Sequence, residues 1–361
     1  MRELKMKKFC FGILVMMLFS GCVCAQLSEI DDGALSGITG QALFNAAKLP
    51  GASGSGLTFY RLMLDTQLDL NMNIDSLKLG CGGVNDALSG VGGCDVDISN
   101  VSLMGLNATK DGAGAVGSDF TLKRPYLEFA IKNDGNKSTR EVVGINIGAQ
   151  SANGYMGVGL FDPSCGNVHN LSCHKGINSM SGYMGVEMSA TASGSGTILG
   201  FIPITFVGCF GNTTTNTSDN CGAADKFETV VRGTRMSDIA LANKVLKMQV
   251  YGGVLNISGK TDLLESLRYI HGIALDDTQN FGISFQREQV AWPKFNPSSG
   301  YSGITNTGFW FNLPNVKVLN ASSDVGNVGD ATSALLGGVA LSNIDLGQRP
   351  PDNCWGASKF C

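Results

Sequence analysis

The chain has 361 residues, of which 43% are hydrophobic and 16% are charged, and its formal net charge is −4. This balance excludes a disordered acidic chain, because enough apolar residues are present to build a core. It also argues against a nucleic-acid-binding protein, which needs a basic face. Glycine occupies 49 positions without a three-residue period and proline only 9, so collagen is excluded as well.

The first 25 residues have the layout of a secretory signal peptide. Basic residues within the first eight positions precede an apolar run from Phe9 to Phe19, and small residues follow. The run has about 11 residues, whereas a membrane-spanning helix needs roughly 20. We therefore predict export rather than an N-terminal membrane anchor.

Two cleavage sites compete at the end of this leader. Cleavage after Ala25 would make Gln26 the mature N-terminus and leave an even number of cysteines. The stretch from Phe19 to Cys22 resembles a bacterial lipobox, and cleavage there would leave an acylated Cys22 together with an unpaired Cys24. An unpaired thiol is unusual in an oxidising compartment, so we favour cleavage after Ala25.

The mature chain divides into an N-terminal docking segment at 26–56 and a glycine-rich β domain at 57–361, with two packed halves as an open alternative. Loss of the leader would leave 22 basic and 29 acidic residues, so the mature protein is acidic. Its longest apolar run, 198–210, has about 13 residues and contains Pro203. No transmembrane helix is therefore predicted in the mature chain.

Alternation of polar and apolar residues predicts that most of this domain is β-strand. Such alternation marks strands with one buried and one wet face, and clusters of Gly, Asn, Asp and Ser between the segments indicate turns. We predict an all-β, mainly antiparallel fold with an elongated β-sandwich-like architecture, glycine-rich turns and short local disulfides. The clearest alternating segments are 95–103, 126–131, 245–255, 281–285 and 309–318.

Helical patterns are confined to a few short segments. The candidates are Ser28–Leu35, Ser237–Leu246 and Thr261–Tyr269. In the last of these, Thr261 is in a suitable position to cap the helix N-terminus ahead of an apolar face.

A weak internal repeat leaves other β architectures open. The stretch Gly-Tyr-Met-Gly-Val occurs at 154–158 and again at 182–186. A repeat array needs three or more copies, so we favour a pair of related strands and keep a β-solenoid as the alternative. An outer-membrane β-barrel is a further alternative because its strands also alternate, although Trp and Tyr total only 10 and show no paired girdles.

The mature cysteines fall into four close couples, which predicts four local disulfides. Each bridge would close a short loop and stabilise the fold by roughly 2 to 3 kcal/mol. Zinc is the rival interpretation, but no couple has the spacing of two to four residues typical of a zinc knuckle. The predicted pairs are Cys81–Cys94, Cys165–Cys173, Cys209–Cys221 and Cys354–Cys361.

Two sequence patterns imitate enzyme motifs. Residues 112–117 match the glycine pattern of dinucleotide-binding loops, but a strand-like segment follows where that mechanism needs a helix. The stretches 172–175 and 218–220 match two of the three motifs of serine β-lactam-recognising enzymes, and the third motif is absent. We predict no cofactor and no catalytic residues.

Metal ligands are also sparse. His169, His174 and His271 are the only histidines, and we expect two in loops and one half-buried ring rather than a metal site. Asp95 and Asp97 share one strand face, but the glycine and distal glutamate of a calcium loop are missing. We predict no metal site.

The two ends of the mature chain resemble a known family. The opening from Leu27 to Gln41 is similar to the segment that directly follows the signal peptide in a group of exported gamma-proteobacterial proteins. The closing stretch, from Ser342 to Gly347 and from Asp352 to Cys361, resembles the pilus-assembly proteins called FilA. The resemblance covers about 35 residues. It implies a role in making or decorating fimbriae in the periplasm, outer-membrane surface or fimbrium of a Gram-negative bacterium, and it carries over no catalytic residues.

We therefore expect a non-enzymatic envelope or cell-surface protein involved in pilus assembly or adhesion. Its partners would be other pilus or envelope proteins, or further copies of itself, bound through strand edges, with 26–56 as the strand donor or docking peptide. No nucleic-acid partner is expected. A binding protein for small apolar ligands, using Met- and Phe-rich inner faces, is the alternative from another class, and a periplasmic hydrolase is a third.

Overall fold

The computed structural model describes residues 43–86, 93–106, 119–162, 164, 170–211, 226–250, 255–330 and 353. All of them belong to one compact unit, Leu43–Cys361. The predicted cleavage site at Ala25 and Gln26, and the predicted helix Ser28–Leu35, lie outside these residues.

The all-β prediction is confirmed, because strands make up most of the described chain. In the first half the strands are β1 (Phe44–Pro50), β2 (Leu57–Leu64), β3 (Gln67–Leu70), β4 (Met72–Cys81), β5 (Cys94–Met104), β6 (Phe120–Lys132), β7 (Glu141–Val158), β8 (Leu160–Phe161) and β9 (His174–Lys175). In the second half they are β10 (Ile177–Ile198), β11 (Ile202–Gly211), β12 (Lys226–Met236), β13 (Asp238–Val250), β14 (Leu255–Ser266), β15 (Gly272–Gln279), β16 (Gly282–Gln286) and β17 (Gly308–Asp330).

Fifteen strands belong to one mixed sheet, and β8 and β9 form a separate two-stranded sheet. The main path through the large sheet runs β1-β2-β6-β7-β15-β17-β10-β11-β13-β14. Among the described pairings, all are antiparallel except that between β10 and β17. Strands distant in sequence pair with one another, so the described part of the chain is not a solenoid.

Three long strands organise this sheet. Strand β7 pairs with β6 along one side and with β15 and β16 along the other, while β10 pairs with β17 on one side and with β12 on the other. Strand β5 pairs with β7 through 101–104 and with β10 through 96–98, so it joins the two. The chain bends between these two contacts at Asn100, which has φ 49°.

The hydrophobic core consists of two clusters. The larger lies among β5, β7, β10, β15 and β17, and Met184 and Ile273 at its centre are fully buried. In the smaller cluster, Phe59 packs against Trp292 with ring centroids 5.4 Å apart. Trp292 comes from the irregular segment 287–307, so that segment covers one face of β2 and β6.

Glycine makes the parallel contact between β10 and β17 possible. A Cβ atom on Gly182 would collide with the carbonyl oxygen of Phe311, and one on Gly185 would collide with that of Pro314. The two backbones therefore approach more closely than side chains would permit. Part of the glycine excess therefore serves this close contact inside the sheet, in addition to the glycine-rich turns that the sequence predicts.

Two predicted helices are wrong. Ser237–Leu246 falls in β13, and most of Thr261–Tyr269 falls in β14, because these segments pair as an antiparallel hairpin with Asp238 opposite Ser266 and Val250 opposite Leu255. Tertiary pairing has overridden local helix preference. Short 3-10 turns form at Leu171–Cys173, Leu267–Tyr269 and Pro297–Ser299, and among the described residues no helix is long and apolar enough to span a membrane.

The core position of Met184 predicts a large stability effect. Its side chain is 0% exposed, so Met184→Ala should lower the free energy of unfolding by about 2 to 5 kcal/mol through lost burial and a cavity. The matched control is Met72→Ala, at a position 39% exposed, which should cost much less. Urea unfolding of both variants measures the difference, and equal losses would contradict the assignment of the core.

Candidate functional site

Strand β1 is an edge strand of the large sheet. It pairs with β2 through the whole of Phe44–Pro50, and no described residue forms a ladder with its other side. Side chains anchor its far end, because Lys48 Nζ lies 2.7 Å from Asp134 Oδ2 and Tyr60 donates to the same oxygen at 2.9 Å. The strand is thus fixed in place, and its other edge is unpaired among the described residues.

The hydrogen-bond pattern shows which groups face outward from β1. Gly51 donates to the Leu57 carbonyl, and Asp65 donates to the Leu43 carbonyl, each at 2.9 Å. Antiparallel ladders alternate, so residues 45, 47 and 49 direct their N–H and C=O groups toward β2. The backbone groups of Phe44, Ala46 and Lys48 therefore point away from the sheet.

An apolar face continues inward from this edge. Two rows of mainly aromatic and aliphatic side chains cross the strands β1, β2, β6, β7 and β16. Within each row every residue lies directly opposite the next, and the second row lies two residues further along each strand. The rows are Ala46, Leu62, Leu127, Ile147 and Ile283, and Lys48, Tyr60, Phe129, Ile145 and Phe285.

Much of this face is exposed. Exposure reaches 63% at Phe44, 45% at Leu62, 60% at Ile147 and 42% at Phe285. Five strands spaced at about 4.8 Å make the face about 20 Å wide. Contiguous exposed apolar surface of this extent is typical of interaction sites rather than of ordinary monomer surface.

A buried ion pair supports the opposite side of the same strands. Arg61 on β2 and Glu128 on β6 are 2.9 Å apart, and both side chains are almost completely buried. Arg61 also donates to the carbonyl oxygens of Pro293 and Phe295, at 3.0 and 2.9 Å, and its guanidinium lies over the ring of Tyr126. It therefore fastens the segment 287–307 to the sheet behind the exposed face.

Burial strongly perturbs the carboxyl group in this pair. Desolvation raises the pKa of Glu128 to about 7, against the attraction of Arg61 and a hydrogen bond from Asn146, which favour the charged form. Desolvation likewise raises the pKa of Tyr126 to about 12. Arg61 contacts Glu128, Tyr126 and backbone carbonyls inside the protein, so this cluster fits a structural role.

The Cys81–Cys94 disulfide forms as predicted, between directly paired residues of β4 and β5. Beside it, buried Arg235 lies 3.0 Å from Asp95 Oδ1 and 2.5 Å from Asp86 Oδ1. The other oxygen of Asp95 accepts from the backbone N–H of Phe309 at 2.9 Å. These bonds tie the disulfide hairpin to β12 and β17.

Two of the three histidines form a buried pair that the sequence did not indicate. His174 Nδ1 and His271 Nε2 are 2.8 Å apart with stacked rings, and the two side chains are 3% and 0% exposed. His271 Nδ1 donates to the Val158 carbonyl at 2.8 Å, so its Nε2 accepts from His174. Desolvation lowers the pKa of His271 to about 4. His174 was expected in a solvent-facing loop and His271 as a half-buried ring; both are instead buried and form an interior hydrogen-bonded pair, 97 residues apart in sequence.

Other residues singled out in the sequence are only partly described. Cys173 is in a disulfide, while its predicted partner Cys165 lies outside the described residues, as do Cys221, Cys354 and Cys361. The backbone of Cys209 lies in β11. The glycine loop at 112–117, the stretch 218–220 and His169 also fall outside the described residues.

The paired aspartates of β5 do not act together. Asp95 is buried against Arg235, whereas Asp97 accepts from Asn178 at 3.1 Å and lies 3.8 Å from Lys78. Among the described residues, no group of three or more His, Cys, Asp or Glu side chains could hold a metal ion.

Comparison with known proteins finds no matching family model, curated protein or solved structure.

The raised pKa of Glu128 predicts an unusual pH dependence of stability. The folded state keeps the proton up to pH about 7, whereas an unfolded glutamate loses it near pH 4.3. The contribution of Glu128 to the free energy of unfolding is therefore complete at low pH. It is lost as the pH rises toward 7, by at most about 1.4 kcal/mol per pH unit. Glu128→Gln should abolish that loss, so the variant should gain stability relative to wild type between pH 5 and pH 7.5 in urea unfolding. A difference that stays constant across this range would contradict the raised pKa.

The lowered pKa of His271 predicts the opposite trend. The neutral ring is favoured in the folded state. Its contribution to the free energy of unfolding is therefore present above pH about 6.5 and is lost as the pH falls toward 4. In His271→Gln the group no longer titrates, and the stability advantage of wild type over the variant should shrink between pH 7 and pH 4.5. Subtracting the two unfolding curves cancels the titrating groups that do not contact His271, which leaves His271 and its partner His174. A wild-type advantage that grows on acidification would refute the buried neutral ring.

Proposed function

We propose that this chain is a non-enzymatic exported protein of the bacterial envelope or cell surface that takes part in pilus assembly or adhesion. In this proposal the open edge of β1 accepts an extended strand from a partner subunit. The observation that carries it is the edge itself, where the backbone groups of Phe44, Ala46 and Lys48 point outward beside an exposed apolar face.

Strand addition supplies both affinity and specificity to such an edge. The added strand gains main-chain hydrogen bonds from the outward groups, and its alternate side chains meet the neighbouring face. Here that face begins with Phe44 and Ala46 and continues with Leu62. The partner strand is therefore expected to carry apolar residues at every second position, which would extend the apolar rows by one strand.

Strand β1 belongs to the segment that was expected to interact, but it takes the role of acceptor rather than donor, because it already pairs with β2 along its whole length. It lies within 26–56, the segment that the sequence indicates as a docking region, and directly follows the stretch that resembles exported pilus-assembly proteins. At the other end of the chain, buried Asn353 donates to Asn71 and Asn73 at 3.1 and 2.8 Å, so this residue of the second FilA-like stretch contacts β4 and the residue before it. The family resemblance itself rests on the sequence of the two ends.

Proline substitution at the outward positions tests the proposal. Ala46→Pro removes an outward N–H and places a ring against an incoming strand, while the hydrogen bonds to β2 remain. Association should weaken by about tenfold or more, since both a hydrogen bond and steric fit are lost. The readouts are the amount of the protein in pili sheared from cells carrying the variant and the number of pili per cell by electron microscopy.

Ala46→Val is the matched control, because it keeps the N–H and an apolar side chain on the same face. Thermal unfolding of purified proteins shows whether each variant folds, and Phe44→Pro provides a second outward position if Ala46→Pro does not. A folded proline variant that assembles and adheres as wild type does would overturn the proposal.

A further inference from the structure

The turn that joins β10 to β11 exposes two large apolar side chains. Ile198 pairs with Ile202 at the end of the ladder, and the three residues between them form the β10–β11 tip. In this tip Leu199 is 61% exposed and Phe201 is 72% exposed, which is the highest value among the large apolar residues of the described chain. Hairpin turns normally carry Gly, Asn or Asp. A turn with two exposed apolar side chains is therefore a candidate contact surface.

The backbone of the tip gives a second indication. Leu199 has φ 58° and Gly200 has φ 77°, so both lie in the left-handed region. Gly and Asn adopt this region readily, whereas it is costly for a bulky side chain such as leucine. An asparagine at position 199 would suit the turn better than the leucine that stands there. Residues in such costly conformations cluster at sites where a function requires the side chain.

The end of this hairpin is uncharged over a long stretch. The sequence from Met188 to Ser218 contains no Asp, Glu, Lys, Arg or His. Among the described strand pairings, the charged residue closest to the tip is Asp330 of β17, which lies opposite Thr197. Strands rise about 3.3 Å per residue, so about 10 Å of chain separates Thr197 from Gly200. Charged groups resist transfer out of water, and this length of the hairpin carries none.

The tip is held in place and extends past a neighbouring strand. The ladder between β10 and β11 runs without a register shift from Thr191 to Ile198. Strand β13 pairs with β11 through 206–211, so the described pairing with β13 ends before the last part of the hairpin. A preformed tip of this kind loses little conformational freedom when it binds a partner.

The small area of the tip favours a lipid partner over a protein partner. One aromatic side chain buries about 150 to 250 Å², whereas each partner in a stable protein interface buries about 800 Å². Two side chains alone fall well short of that value. A bilayer requires no shape complementarity, and interfacial apolar groups enter it to a depth of about 5 to 10 Å, which matches the uncharged length of the hairpin.

We propose that the β10–β11 tip inserts into the surface of a phospholipid bilayer, with Leu199 and Phe201 among the upper parts of the acyl chains. The lipid surface that it fits is electrically neutral, because 188–218 has no basic residue to attract anionic lipid and the closest paired charge, Asp330, is negative. Binding should therefore depend little on salt. This activity goes beyond the proposed assembly role and does not rest on it, since the tip and β1 share no residue.

Co-sedimentation of the purified mature chain with vesicles tests the proposal. The probes are vesicles of phosphatidylcholine, and of phosphatidylcholine mixed with phosphatidylglycerol, each at low and high salt. The wild type should bind both, with no gain from the anionic lipid and no loss at high salt. Leu199→Asn should weaken binding by about tenfold or more through lost apolar burial. Its melting temperature should be unchanged or higher, because Asn suits the left-handed backbone.

Val84→Asn is the matched control, because Val84 is 70% exposed in the connection between β4 and β5, outside the tip, and this variant should bind as wild type does. If Leu199→Asn does not fold, Phe201→Ser takes its place. Phe201→Trp reports insertion directly. Its fluorescence should be quenched by phosphatidylcholine brominated on the acyl chains, to a greater extent than that of the wild type.

The proposal is overturned if the wild type does not bind phosphatidylcholine vesicles, if a folded tip variant binds them unchanged, or if binding requires anionic lipid and is lost at high salt. Sedimentation velocity without lipid detects a protein contact at the same place. Self-association that Leu199→Asn abolishes, without vesicle binding by the wild type, would assign the tip to a second copy of the chain and overturn the lipid proposal.

Discussion

The close parallel contact between β10 and β17 is the constraint on which the rest of the sheet depends. These are the two longest strands, and Gly182 and Gly185 let their backbones approach where any side chain would collide with a carbonyl oxygen. The other strands of the large sheet extend from the two sides of this pair. Strands β12 and β11 pair with β10, while β15 and β16 connect β17 to β7. The position of the distant edge strand β1 follows from this order, because β1 is reached from β7 only through β6 and β2.

Buried polar side chains attach to the sheet the segments that strand pairing alone does not hold. Arg235 and Asp95 connect the disulfide hairpin to two neighbouring strands, and Arg61 connects the irregular segment 287–307 to β2. Removing charges from water is costly, so such groups persist only where ion pairs and carbonyl oxygens compensate them. Where compensation is incomplete the neutral form is favoured, as the raised pKa of Glu128 and the lowered pKa of His271 show.

Sequence reasoning succeeded where the signal is local. Alternation identified the strand character of 95–103 and 126–131, and spacing identified the Cys81–Cys94 bridge, since both depend on near neighbours. It failed for Ser237–Leu246, because the hairpin partner that makes this segment a strand is invisible to a helical pattern. The histidine pair brings together residues far apart in the chain, and no periodicity predicts it. Pairing through strand edges was expected in general, but only the strand order shows that β1 is an edge strand of the described sheet.

Amide hydrogen exchange measures most directly whether β1 is the acceptor for a partner strand. In the isolated protein, the amides of Asn45, Ala47 and Leu49 should be protected by β2, while those of Phe44, Ala46 and Lys48 should exchange quickly. In protein recovered from assembled pili, the second set should become protected as well. Outward amides that exchange equally fast in the free and the assembled protein would contradict the account.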